Sequence, residues 1–197
     1  MRNPDMMRFV LAGIIFLMAI AIGWITFDWY RIQNAEVAFG GPFELVDNRG
    51  EPITEQAFRE HPSAVFFGFT HCPEVCPTTL FEMDGWLKQL GDEGKDIRAY
   101  FVTVDPERDT PQAMNDYVTN VSDRITGITG DPAKIDQVIK DFKIYARKVP
   151  TEDGDYTMDH TASVLLLGRQ GQFFGTIAYE ENSETAIAKL KRLAVEG

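Results

Sequence analysis

The hydrophobic pattern opens on an unbroken apolar stretch, since no side chain from Phe9 to Phe27 carries a charge. Those nineteen residues would rise about 29 Å as a helix, against about 30 Å for the hydrocarbon layer of a bilayer. The stretch predicts a transmembrane anchor over residues 9–27, behind a short head of residues 1–8. A cleaved signal peptide is the competing reading, with Ala19-Ile20-Ala21 as its cleavage site. Its apolar part is usually about 7–15 residues, and here apolar residues continue past that site. Trp24, Trp29 and Tyr30 fall where interfacial aromatic residues belong. Residues 28–42 read as a linker closing on Gly40-Gly41-Pro42.

From residue 43 to 197 the pattern changes to short strands and amphipathic helices. Phe43 to Val46 alternates apolar and polar positions, and Asp47-Asn48-Arg49-Gly50 supplies turn residues, which predicts a β-hairpin. Thr54 caps a short helix through Phe58. The run Ala64 to Phe69 is continuously apolar, as in a strand buried on both faces. Leu80, Met83, Leu87 and Leu90 then recur at helical spacing, with Gly91 as the stop. Ile97 to Val104 predicts a second buried strand ending at Asp105-Pro106. Thr110-Pro111 opens a helix through Thr119, and Asp131-Pro132 repeats that signal ahead of Ile135, Val138, Ile139 and Phe142. Ser163 to Leu167 and Gln172 to Ala178 flank the turn Gly168–Gly171 as a late hairpin, and Ser183 starts a final helix. A βαβ unit followed by an antiparallel hairpin and a closing helix is an α/β, thioredoxin-like plan, here with an extra hairpin at its N-terminal end.

Composition narrows the setting. With 197 residues, 44% hydrophobic and 12% aromatic, the chain can bury one sizeable core and is not of a disordered type. Its formal charge is −11, and because Arg2 and Arg8 cancel Asp5 and Asp28, the acidity belongs to the domain. Such a surface disfavours nucleic acid and suits a basic docking partner, or serves only to keep the domain soluble. Arg2, Arg8 and the amino terminus precede the apolar stretch and Arg31 alone follows it closely, which places the N-terminus in the cytoplasm and the domain outside.

The two cysteines, Cys72 and Cys76, share one segment, Gly68-Phe69-Thr70-His71-Cys72-Pro73-Glu74-Val75-Cys76-Pro77. A disulfide between them would staple nothing distant, so their role is chemical. Cys76 falls at or just before a helix N-terminus, where free N–H groups and the helix dipole favour thiolate. One helical turn brings positions i and i+4 within disulfide reach, so the pair can close as a Cys72–Cys76 disulfide or open as a chelate. Soft thiolates suit Cu(I), zinc or iron–sulfur clusters; two cysteines are too few for a cluster and poor for structural zinc, which leaves Cu(I). Of the three histidines, His61 reads as a surface residue and His71 as a neighbour of Cys72 too close in sequence to share its ligand. His160, in Asp159-His160-Thr161, lies at the head of the late hairpin strand, where a thioredoxin-like plan faces the cysteines. A third ligand and an ordinary loop residue are both open readings for it. A thiol peroxidase on this scaffold needs a cation fixed beside the thiolate; Arg108 and Arg147 are available, with nothing in the sequence to hold either there.

Three segments together resemble the Sco/SenC copper-assembly proteins: Phe69 to Thr78, then Val104-Asp105-Pro106-Glu107-Arg108-Asp109-Thr110-Pro111, then Asp159-His160-Thr161. The likeness runs from about Gly41 to Leu190. It implies a thioredoxin fold and a site for Cu(I), and for Cu(II) as a second state, made of Cys72, Cys76 and His160. It also implies assembly of the dinuclear CuA centre of cytochrome c oxidase. The partners implied are the copper-bearing oxidase subunit and, as a donor, another copper chaperone. The chain would then be a metallochaperone rather than an enzyme, or a thiol–disulfide oxidoreductase that reduces the cysteines of the target through Cys72 and Cys76. Asp105 matches an acidic family position that tunes Cu(II) binding, and equally suits a turn at the end of a strand. Asp109 and Arg108 read as a residue at the start of a helix and a surface group. The short head favours a bacterial cytoplasmic membrane, with the domain in the periplasm, over a mitochondrial inner membrane.

Overall fold

The computed structural model describes residues 13–27 and 39–197. The chain divides into two compact units, Met1–Glu36 and Val37–Gly197. In the first, residues 13–27 form helix α1, with every side chain exposed. Fifteen helical residues rise about 22 Å, less than the bilayer core. Among the described residues no helix is long and apolar enough to cross a membrane. Residues 9–12 of the expected anchor, and the head at 1–8, lie outside the described residues. So do residues 28–38 of the linker.

The second unit is built on a seven-stranded sheet in the order β2-β1-β5-β4-β3-β8-β9. The N-terminal hairpin is β1 (Glu44–Asp47) and β2 (Pro52–Thr54), joined through the turn expected at residues 47–50. The Asp47 carboxylate accepts the backbone N–H groups of Arg49 and Glu51 and so closes that turn. Thr54 caps a single 3₁₀ turn, Glu55–Phe58. The centre of the sheet is parallel: β3 (Ser63–Gly68), β4 (Arg98–Thr103) and β5 (Ile125–Thr129). Every residue of β3 is buried, as its unbroken apolar run requires. Strand β8 (Val164–Leu167) pairs antiparallel with β3, and β9 (Phe173–Ile177) closes that edge.

The helices follow the predicted caps. Helix α2 (Val75–Leu90) ends at Gly91, whose φ of +53° is one that side chains with a Cβ rarely adopt. Thr110 caps α3 (Pro111–Thr119), and Asp131 caps α4 (Pro132–Asp141), each with proline in the first turn. Asn182 caps α5 (Ser183–Glu196) by accepting from the N–H groups of Glu184 and Thr185. Ala64 meets Met83, Trp86 and Leu87 of α2 and Leu190 of α5 on one face of the sheet. On the other, the Phe67 ring lies 5.4 Å from that of Phe142, just after α4. Pleating sends Phe66 and Gly68 to the α2 face with Ala64, which aims the end of β3 at the start of α2.

Two features depart from the expectation. Residues 125–129 form the strand β5 between β1 and β4, where the sequence pattern predicts only a connection between helices. The segment Ile-Thr-Gly-Ile-Thr carries too few apolar residues to stand out, and pairing on both sides makes it a strand. The stretch ahead of His160 is not a loop but a separate two-stranded sheet of β6 (Ala146–Pro150) and β7 (Tyr156–His160). The linker also ends earlier than its composition suggests. The Phe39 N–H donates to the Gly171 carbonyl at 2.8 Å, and its ring lies 5.6 Å from Phe142 and 5.2 Å from Phe173.

Candidate metal centre

Strand β3 ends at Gly68 and hands the chain to a six-residue connection before α2. The first bend is closed by the Cys72 N–H, which donates to the Phe69 carbonyl at 3.2 Å. Thr70 pins the connection from the side: its N–H lies 3.2 Å and its hydroxyl 2.6 Å from the Asp109 carboxylate. The half-buried Cys72 sulfur accepts the Cys76 N–H at 3.3 Å, one of the free donors in the first turn of α2. Cys76 is fully buried, and its Sγ sits against the end of β3. A Cβ on Gly68 would come within 2.7 Å of that sulfur and 2.7 Å of the Phe101 ring. Only glycine leaves room for the thiol there.

His160 arrives from the opposite side as the last residue of β7. Its Nδ1 lies 2.9 Å from the Thr161 carbonyl, which can only accept, so Nδ1 carries the proton. The bare Nε2 then faces the cysteines, 3.5 Å from Cys76 Sγ. The ring meets Phe69 edge-on at 5.8 Å and Phe66 at 6.0 Å, which limits its rotation. One ligand atom each from Cys72, Cys76 and His160 lies within 4.8 Å of the others, and among the described residues no other such group of histidine, cysteine or carboxylate side chains occurs. Both cysteines are free thiols in this structure.

The sulfurs are electronically unequal. The hydrogen bond from the Cys76 thiol, with those from the Cys76 and Glu74 backbone N–H groups, pulls Cys72 down to about 4 against the effect of burial. The same shared hydrogen bond, with burial and the Cys72 charge, pushes Cys76 far up. At neutral pH the pair holds one proton, on the inner sulfur, and presents a thiolate at the surface.

The remaining expected residues fall differently. His71 is exposed and His61 half-buried in the connection before β3; neither joins the group. Asp105 is buried and already committed: Tyr156 Oη donates to its Oδ1 at 2.8 Å and Arg108 Nε to its Oδ2 at 2.5 Å. Two expectations are corrected. Asp109 is not a residue that merely starts a helix but is fully buried, accepting from Thr70 and, at 2.6 Å, from the Thr103 hydroxyl. Arg108 is not a surface group, since its side chain is only 18% exposed and is held by Asp105. That commitment removes it as a free cation for peroxide chemistry, and Arg147 is paired with Asp159 at 3.8 Å. The sequence gives no role to Gly68, Tyr156 or Thr161, and the anchoring role of Asp109 is likewise absent from it. The one available signal was the apolar run of β3 ending in glycine right before the cysteines.

Known proteins share both the sequence and the fold. The SCO1/SenC family model matches residues 32–195. The SCO2-like protein RP587 of Rickettsia prowazekii is 34% identical over 146 residues, 73% of this chain and 71% of that protein. The copper-bound structure of Bradyrhizobium japonicum ScoI superposes with a TM-score of 0.73 at 46% identity, covering 79% of this chain and 99% of that one. Copper-bound Arabidopsis thaliana ScoI superposes with a TM-score of 0.76 at 30% identity, covering 81% and 100%. A family match over most of the chain, a relative of this similarity and a shared thioredoxin-like fold together establish that the chain belongs to the SCO1/SenC family.

Proposed function

We propose that this chain is a copper metallochaperone that binds Cu(I) through Cys72, Cys76 and His160 and serves the assembly of the CuA centre of cytochrome c oxidase. The observation that carries the reading is the convergence of two sulfurs and a bare imidazole nitrogen within 4.8 Å. The donor set fits the ion: thiolates favour soft Cu(I), and three ligands satisfy it. Loading displaces the Cys76 proton, since metal-bound sulfur is thiolate. Half-buried Cys72 leaves the cargo open on one side, where thiolates of a partner enter and take the ion by ligand exchange. The Sco family is one of cytochrome c oxidase assembly proteins, and relatives of this chain have been solved with copper bound. The partner is accordingly the copper-bearing oxidase subunit, with another copper chaperone upstream. Asp105 supports the site from behind its two hydrogen bonds rather than as a ligand.

The membrane anchor at residues 9–27 is part of this proposal. Its support is the charge-free stretch, the apolar helix at 13–27 and the flanking Arg2 and Arg8. It puts the domain on the outer face of a bacterial cytoplasmic membrane. The test of function is anaerobic Cu(I) titration of the reduced full chain beside His160→Ala. The expected result is one Cu(I) per chain, with affinity at least tenfold weaker in the variant. Equal affinity would remove the histidine from the site.

A second reading rests on the unequal thiols. Cys72 thiolate attacks a target disulfide, forming a mixed disulfide and releasing one target thiolate. Cys76, on losing its proton, attacks Cys72 Sγ and releases the second. Two electrons pass to the target and the chain keeps a Cys72–Cys76 disulfide. Metal-free reduction of an oxidised CuA-site peptide that survives His160→Ala supports this reading, and no reduction refutes it.

A further inference from the structure

The imidazole reaches the sulfurs on a hairpin that is no part of the main sheet. Among the described residues strands β6 and β7 pair only with each other, so no ladder hydrogen bond ties them to the seven-stranded sheet. Besides the packing of Ala146 and Met158 on the core, side chains from one short segment, Asp105–Asp109, hold the hairpin. Tyr156 opens β7 and lies four residues before His160, so with Met158 the two share one face of the strand. Tyr156 Oη donates to Asp105 Oδ1 at 2.8 Å, and Arg108 Nε donates to Asp105 Oδ2 at 2.5 Å. The circle closes where Arg108 Nη1 donates to the Tyr156 carbonyl at 3.0 Å and the guanidinium lies 3.8 Å over the Tyr156 ring. A clamp at Tyr156 therefore resists the twist of β7 that would swing the imidazole off the sulfurs. The far end of the same segment holds the cysteine arm, through Asp109 and Thr70.

We infer that Asp105, Arg108 and Tyr156 are positioning residues for His160, a closed clamp that fixes the imidazole against Cys76 and thereby sets how tightly the cargo is held. The inference rests on the copper-binding reading above. Loss of a group that orients a metal ligand costs about 10–100-fold in affinity. Because the clamp acts through four residues of strand, the lower end of that range is expected.

The test is a cycle on the reduced full chain in detergent, with Cu(I) affinity read by competition with a chromophoric chelator. Tyr156→Phe keeps the ring and removes only the hydroxyl; it should weaken Cu(I) binding about tenfold in the unaltered background and less than twofold beside His160→Ala. Arg108→Lys, which keeps the charge but not the planar fork, should behave alike and serves where the first variant folds poorly. In metal-free protein the amides of Met158 to Thr161 should exchange with solvent about tenfold faster in either variant. Equal losses with and without His160 would reduce the clamp to general stability and overturn the inference, as would affinity and exchange both within twofold of the unaltered chain. If His160→Ala alone changes nothing, the ligand set fails, while the amide exchange still decides whether the clamp holds the hairpin.

Discussion

Gly68→Ala tests the geometry of the site without replacing a ligand. The added methyl would lie 2.7 Å from Cys76 Sγ and 2.7 Å from Phe101 Cε2, where Cβ atoms essentially never come closer than 3.0 Å. The gap to the sulfur must open by roughly 0.3 Å to become barely tolerable and by roughly 0.7 Å to become ordinary contact, whereas metal–ligand distances tolerate about ±0.2 Å. Neither neighbour yields readily: Phe101 is fully buried in β4, and Cys76 is held in the first turn of α2. Overpacking of this kind costs about 1–3 kcal/mol. For a chain of this size that lowers Tm by about 2–12 °C. The assay is a thermal melt of the reduced, metal-free chain followed by circular dichroism, with Cu(I) affinity measured in parallel. Gly85→Ala is the control: it lies exposed on α2 with nothing within 4 Å of a new Cβ, so stability should rise by about 0.5–1 kcal/mol with Cu(I) affinity unchanged. A Gly68→Ala chain that melts within a degree of the unaltered one and binds Cu(I) equally well would refute the packing argument.

Two further outcomes follow from the same site. Because Cys72 is lowered to about 4, its thiolate is present above that pH and lost as pH falls through it. Alkylation of Cys72 by iodoacetamide should therefore stay nearly constant from pH 8 to 5 and collapse below about 4; a decline that begins near pH 8 would show an ordinary thiol. Asp109→Ala strands the Thr70 N–H and the Thr103 hydroxyl without an acceptor, which should cost about 1–3 kcal/mol in urea denaturation at pH 7. A loss under 0.5 kcal/mol would mean the segment around Thr70 relaxes freely.

Much of the domain could be read from local chemistry, because each signal acts within a few residues. Proline after a capping Thr110 or Asp131 starts a helix whatever surrounds it, and the apolar run of β3 can be satisfied only by burial on both faces. The two cysteines needed only their spacing and a helix start to mark them as a reactive pair. Pairing across long sequence distances was not legible. The β5 segment, with two threonines and a glycine, becomes a strand because β1 and β4 flank it. The β6–β7 hairpin is polar and half-exposed, so no alternation announced it. His160 could not be distinguished from a loop residue until that hairpin set its Nε2 at 3.5 Å from Cys76 and Thr161 took the proton of its other nitrogen. Asp109 looked like a residue opening a helix, yet burial turned it into the anchor of the cysteine arm. The sequence by itself determined which groups can bind a soft metal; tertiary structure decided that they meet, because the imidazole lies 84 residues from the nearer cysteine and the folded segment Asp105–Asp109 holds both arms.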